Sequence, residues 1–332
     1  MMKFTNRRVA ALLVAAGVSW SCVLQGQTVQ SLAKVSASLP KYLVATPIKS
    51  VVEVPGTDAL TDLGDEWNRG FKKFHPEARI QFKAKLTKDV VQGLINGTSI
   101  LAITARELTP EELRNFQAKF GYQPMRIPVC LDANIVFVHK DNPITSITME
   151  QLDAIYSKSR LGGAKAPAVR WGDLGVRGDL AKRTINAYSR AEGAATRQSF
   201  ANMVMLKGEF RPGIIDREDT QSLAESILTD PAGIAFSTLT GWYAANKVLP
   251  VVPYQGTEPR FPNQDNVTSS RYPMPRLFYA YVNRTPGKPL DPGVNEVLHY
   301  ILASEGQNDV ANVGLLPGPV EFISIALKRL AR

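Results

Sequence analysis

Cysteine is nearly absent from this chain: Cys22 and Cys130 are the two it has in 332 residues. No disulfide framework and no thiolate metal site can be assembled from them. Histidine is as sparse, since His75, His139 and His299 stand far apart and share no ligand spacing. There is no P-loop, no H-E-x-x-H and no G-x-S-x-G, so three large classes of hydrolytic chemistry lack their residues, and no enzyme is expected. After Val18 no apolar run comes close to a membrane span. No basic stripe is interleaved with stacking aromatics, which argues against nucleic acid as a partner. Repeats and low-complexity tracts are missing too.

What is present suits a two-domain globular protein. The length favours two domains over one, and a hydrophobic share of 44% fills a core. The first residues form a targeting segment. Lys3, Arg7 and Arg8 make a basic n-region, Val9 to Val18 a short apolar h-region, and Ser19 and Ser21 a small-residue cleavage site. Residues 1–21 are therefore expected to be a signal peptide and 22–47 a polar leader, giving a periplasmic or extracellular product. Cys22 directly after the cleavage site leaves two readings open, a lipid-anchored cysteine or plain cleavage. Formal net charge is +9; removing the three n-region cations from 39 Lys+Arg leaves 36 against 30 Asp+Glu, or +6. That mild excess suits an anionic partner and equally suits a solvated basic surface.

Strand and helix patterns alternate along the rest. Val51 to Val54 reads as a strand, and Gly56-Thr57-Asp58 opens a helix with Leu60, Leu63, Trp67, Phe71 and Phe74 at steps of three and four. Thr57 or Asp58 is its expected N-cap and Pro76 its stop. Ile80 to Ala84 reads as a strand, Asp89 to Ile95 as a helix ending at Asn96-Gly97, and Ile100 to Ile103 as a buried strand. Two capping boxes, Thr109-Pro-Glu-Glu112 and Thr148-Met-Glu-Gln151, each start a helix. Between them Arg126 to His139 reads as a long strand interrupted by Asp132-Ala-Asn134, and Cys130 in it as a small buried hydrophobe. Thr184 to Tyr188 is an expected strand, followed by a helix that buries Phe200, Met203 and Val204. Further on come a helix over 220–228, strands over 233–236, 248–252 and 277–283, and a helix capped by Asp291-Pro292.

The pattern is α/β. Small polar or charged residues sit at three strand-to-helix junctions: Gly56 to Asp58, Thr104 to Arg106, and Arg190 to Arg197. In open α/β sheets ligands bind outside the carboxyl ends of strands, where helix N-termini offer free N–H groups and a positive dipole end. Three such junctions converging would hold an oxyanion without metal or cofactor. Singly, each reads as an ordinary N-cap.

Several segments together carry a resemblance. They are Gly56-Thr-Asp-Ala-Leu60, Gly93-Leu-Ile-Asn-Gly97 with Ile103-Thr-Ala-Arg106, Pro128-Val-Cys-Leu-Asp132, Val138-His-Lys-Asp-Asn-Pro143, Trp171-Gly-Asp-Leu174, Ser189 to Phe200, Tyr272-Pro-Met-Pro-Arg276 and Pro286-Gly-Lys-Pro-Leu-Asp-Pro292. In order and spacing they resemble the periplasmic phosphate-binding proteins of ABC transporters. The resemblance implies the two-lobed class II periplasmic-binding-protein fold, two mixed-sheet α/β domains joined by a two-strand hinge. Residues 48–133 plus 247–332 would form the first lobe and 134–246 the second. It implies that the chain binds phosphate or a similar oxyanion between the lobes, hands it to the membrane permease subunits and does no chemistry. A monomer is expected.

The implied ligand-binding set is Gly56, Thr57, Asp58, Thr104, Ala105, Arg106, Arg190, Glu192, Gly193, Ala194, Ala195 and Thr196. Arg190 would fork an oxyanion with Glu192 holding it. The set departs from the family pattern: Ala105 and Ala194 stand where serines are typical, and Ala195 where glycine is. A hydrogen bond to a charged group contributes about 1.5–3 kcal/mol. Two lost donors cost about 3–6 kcal/mol, roughly two to four decades of affinity. Two functions therefore stand side by side: an oxyanion binder feeding a transporter, and a two-lobed interaction or sensory scaffold whose pocket has degenerated.

Overall fold

A computed structural model describes residues 33–241 and 245–330. The signal-peptide and Cys22 readings lie outside these residues.

The chain opens on β1 (Val51–Thr57) and, after helix α1 (Thr61–Phe71), forms β2 (Arg79–Lys85) parallel to β1. α1 buries Leu63, Trp67 and Phe71, the face that the spacing predicts. Its start differs. β1 runs on to Thr57, paired with Lys85, and a single 3-10 turn over Asp58–Leu60 follows before α1 begins. Neither Thr57 nor Asp58 caps α1, because both are already committed to the end of the strand and to that turn. Gly56 has a packing reason as well: a Cβ there would lie 2.1 Å from the Phe82 ring.

Next come α2 (Thr87–Asn96), the fully buried strand β3 (Leu101–Thr104) and α3 (Pro110–Phe120). The Thr109–Glu112 capping box forms both of its bonds. β4 (Met125–Val138) is one continuous strand, without the interruption expected at Asp132 to Asn134. The polar residues there have partners inside the fold. Asp132 accepts from the N–H groups of Ala133 and Leu239 and from Arg276 Nη1, and Asn134 Nδ2 donates to Ser199 Oγ. β5 (Ile147–Thr148) leads to α4 (Met149–Tyr156), whose Thr148–Gln151 capping box also closes.

The chain continues through β6 (Asn186–Arg190), α5 (Ala195–Val204), β7 (Ile215–Arg217), α6 (Thr220–Thr229), β8 (Gly233–Thr238), β9 (Lys247–Leu249) and β10 (Val251–Val252). It ends with α7 (Gln264–Thr268), β11 (Pro275–Val282), α8 (Pro292–Leu302), α9 (Ser304–Asn312), β12 (Leu316–Pro317) and α10 (Val320–Leu330).

The strands line up as β2-β1-β3-β11-β4-β8-β6-β7, with β9 and β12 also paired to β4 and a separate β5–β10 pair. β4 is the shared member. From Met125 to Ala133 it pairs antiparallel with β11, and from Asn134 to Val138 with β8. Its side chains divide the same way. Ile127, Val129 and Cys130 join a core with Trp67, Phe71, Leu298 and Ile323; Leu131, Ala133 and Ile135 to Val138 join another with Trp171, Phe200 and Phe236. Burial pushes the Cys130 thiol well above its ordinary range, so it behaves as a small apolar residue. A smaller cluster packs α2 and α3 on Tyr279 and Tyr281. The stretch read as a polar leader is part of the first core from residue 39 on, with Leu39 and Tyr42 buried.

Candidate functional site

The junctions expected to converge do meet around one cavity of about 630 Å³. Asp58 arrives from the end of β1, Arg106 from the loop after β3, and Arg190 with Gly193, Ala194, Ala195 and Thr196 from the turn between β6 and α5. Gly193 takes φ +89°, a left-handed conformation that glycine adopts without strain. Ala105 lines an adjoining cavity of about 280 Å³.

Four of the expected residues line neither space. Gly56 packs on Phe82. Thr57 is buried beneath the cavity floor, where its hydroxyl receives that of Thr87 at 3.1 Å. Thr104 is also buried and donates to the Arg106 carbonyl at 2.8 Å, which shapes the loop carrying Arg106. Glu192 is exposed and, among the described residues, has no ion pair with Arg190.

The cations differ in what they have to offer. Arg106 is bound at both terminal nitrogens by Glu112, each at 2.8 Å, so its charge is already matched. Those hydrogen bonds raise the Arg106 pKa further. Arg190 is held by neutral groups instead. Nη1 donates to Thr220 Oγ1 and Nη2 to the Glu218 carbonyl, both at 2.8 Å, and its buried Nε has no partner. Its position is fixed and its charge is not paired with a carboxylate among the described residues. Arg197, one turn into α5, is tied to Asp216 and stacks over Phe210.

A fourth junction was missed. Leu86, Thr87 and Lys88, where β2 passes into α2, line the larger cavity as well. Lys88 has no ion-pair partner among the described residues. The signal was available: a strand pattern over 80–84 followed directly by a helix is itself a strand-to-helix junction. Starting that helix at Asp89 left its first residues out.

Two helix N-termini border this space without side-chain caps. The N-cap of α2 is Leu86 and that of α5 is Ala194, and neither makes a side-chain cap hydrogen bond. By contrast α3 and α4 carry complete capping boxes. The first N–H groups of α2 and α5 are free of intrahelical partners, and each helix adds partial positive charge. Asp58 is the one carboxylate in this lining and Asp219 offsets Arg190 in part from outside it, so Lys88 and Arg190 leave the cavity electropositive and rich in fixed donors. It suits a compact anion. Among the described residues no group of His, Cys, Asp and Glu could hold a metal ion.

This fold places the chain in the class of mixed α/β proteins that periplasmic binding proteins share, and comparison with known proteins gives the family. The PBP superfamily domain matches residues 42–305. The phosphate-binding protein PstS of Pseudomonas aeruginosa is 33% identical over 329 residues, covering 99% of both chains. The chain belongs to this family of PstS phosphate-binding proteins within the PBP superfamily, a family of binders rather than enzymes. Solved structures share the fold. An ABC-type phosphate transport receptor from Vibrio cholerae matches with TM-score 0.64 at 17% identity, covering 80% of this chain and 99% of that one. PstS from Borrelia burgdorferi matches with TM-score 0.60 at 21% identity, covering 81% and 99%. No helix among the described residues is long and apolar enough to cross a membrane.

Proposed function

We propose that this chain is an exported oxyanion-binding protein, with phosphate as the reference ligand, and the substrate-binding component of an ABC transporter. The observation that carries the reading is a single cavity bordered by two uncapped helix N-termini, Lys88 and an Arg190 held by neutral groups. The names of the relatives point the same way. The anion lies between two lobes, which break near residue 274 rather than at the expected 246/247: 48–133 plus 275–330 make one and 134–274 the other, because Val248, Leu249, Val251, Val267, Tyr272 and Met274 pack in the core of Trp171 and Phe236, and β9 pairs with Val136–Val138. The protein delivers its ligand as a monomer to permease subunits, after export directed by residues 1–21 and with or without a lipid on Cys22.

Ala105, Ala194 and Ala195 favour the second reading, an interaction or sensory scaffold, because they present methyl groups where donors would tighten the grip. Calorimetric titration of the mature protein with phosphate, sulfate and arsenate separates the two. Heat of binding that is lost in Arg190→Ala supports the binder. A charged hydrogen bond contributes about 1.5–3 kcal/mol, so Arg190→Ala is expected to weaken binding at least tenfold. Silence with all three anions supports the scaffold.

A further inference from the structure

The cavity beside the anion site, about 280 Å³, shares Thr87, Arg106, Ala195 and Gln198 with it. Its other walls are of a different character. Ala105 and Glu107 follow β3, Met203 comes from the last turn of α5, and Pro275, Leu277 and Tyr279 from β11. Helical spacing assigns Met203 to the core; it packs against that core and, only partly buried, also lines this cavity. A cavity of about 150 Å³ is large enough to admit benzene, whereas one water occupies roughly 30 Å³. The space is thus far larger than one further oxygen of a bare oxyanion needs.

Arg276 stands in the same wall. It is 4% exposed, its Nη1 donates to Asp132 Oδ2 at 2.9 Å, and its buried Nε has no hydrogen-bond partner. Asp132 offsets its charge, so it does not call for a second anion. A guanidinium has five N–H groups and the Asp132 bond uses one of them, so its terminal nitrogens retain donors that suit a neutral acceptor such as an ether or hydroxyl oxygen.

We propose that the site takes a tetrahedral oxyanion bearing one organic substituent, a phosphonate or a phosphate monoester. The head group lies at Arg190, Lys88 and the helix N-termini, and the substituent fills the second cavity. This rests on the oxyanion reading above and narrows its ligand class. A tetrahedral anion with one substituent presents three oxygens instead of four, and its fourth direction requires an apolar exit. Where the two cavities meet, the chain supplies the methyls of Ala195 and, beside the shared Arg106, of Ala105. With bare phosphate that direction would end on methyl groups and water. With an organic group it ends on Met203, Leu277 and Pro275.

The test is calorimetric titration of the mature chain with inorganic phosphate, methylphosphonate, phenylphosphonate and phenyl phosphate. The lining is mixed, with Ser199 and Asn202 beside the apolar residues, and packing an aromatic group against Met203, Pro275 and Leu277 is expected to make the phenyl compounds bind about tenfold tighter than phosphate. The phenylphosphonate and phenyl phosphate arms tell a carbon link from an ester link. Met203→Trp fills the second cavity from α5 and is expected to lower the phenyl-to-phosphate affinity ratio. Should that variant fail to fold, Leu277→Ala removes apolar wall and is expected to lower the same ratio. Phosphate binding without binding of either phenyl compound overturns the proposal and leaves the oxyanion reading standing. A phenyl preference unchanged in a folded cavity variant also overturns it, because the substituent then lies elsewhere. If none of the four anions binds, the oxyanion reading falls and this proposal with it.

Discussion

Ala194 shows how one residue can serve a helix and a ligand at once. It is the N-cap of α5, with φ −65° and ψ 132°, the extended geometry from which a side-chain oxygen reaches the first-turn N–H groups. Alanine has no such oxygen. Ala194→Ser is expected to stabilise the protein by about 0.5–2 kcal/mol through the cap alone, read as a higher melting temperature without ligand. A hydroxyl accepts and donates together, so the same serine can receive a helix N–H and give its proton to an anion. Adding Ala195→Gly and Ala105→Ser to Ala194→Ser is then expected to raise phosphate affinity, each regained bond contributing about 1.5–3 kcal/mol in the closed cleft. A triple variant that folds, yet binds phosphate no better than wild type, would sink the cradle reading. Much of this site is visible in the sequence because small residues and arginines at strand-to-helix junctions are local signals. What is not visible is how each arginine is spent. Arg106 is consumed by Glu112, six residues on, and Arg190 is held by Thr220 and Glu218 from another helix start. Those partners are set by tertiary packing, and a pairing of Arg190 with nearby Glu192 is what spacing alone suggests.

Among the elements, the capping boxes before α3 and α4 were legible because their chemistry lies within four consecutive residues. The segment before β1 was not, because its buried residues follow no helix or strand period and its partners are remote. It is strapped onto the first core by a chain of buried hydrogen bonds. The Ile48 N–H donates to His75 Nδ1 at 3.1 Å, so the ring proton sits on Nε2 and faces the Tyr42 hydroxyl at 2.6 Å. Tyr42 in turn donates to Glu296, whose other oxygen accepts from the Thr46 N–H at 2.8 Å. Burial lowers the His75 pKa, and the nearby Glu296 opposes that only in part. A second proton on the ring would also displace the Ile48 bond. Because the folded-state pKa lies below the unfolded value of about 6.5, the unfolded chain takes up the proton first. The contribution of His75 to stability is complete above that value and is lost as pH falls through it toward the folded pKa. Between about pH 7.5 and 5.5 the melting temperature is expected to fall more for wild type than for His75→Gln, which keeps an acceptor for Ile48 but cannot charge. Equal slopes for the two proteins would show that the strap does not sense His75.

At the scale of the whole molecule, the cavity draws its two unpaired cations from different cores. Lys88 begins α2, which packs with β1 and β3, while Arg190 ends β6, which pairs with β8. The cores are connected through β4, where Asp132 holds both Arg276 of β11 and the backbone of Leu239 after β8. Without an anion, two like charges line one space and favour separation of the parts that carry them. A bound anion reverses the sign of that interaction, since it attracts both. Closure on binding is the expected outcome, and small-angle scattering is expected to give a smaller radius of gyration at saturating phosphate. The same argument makes a ligand-free prediction. Lys88→Glu places a carboxylate in the cavity that holds Arg190, so attraction replaces repulsion and the free protein is expected to scatter as the closed form. At high salt the effect is expected to weaken, because about 1 M salt shortens the screening length to about 3 Å. If the profile stays the same with saturating phosphate and in Lys88→Glu, the two cores are rigidly joined and the cavity binds without closing.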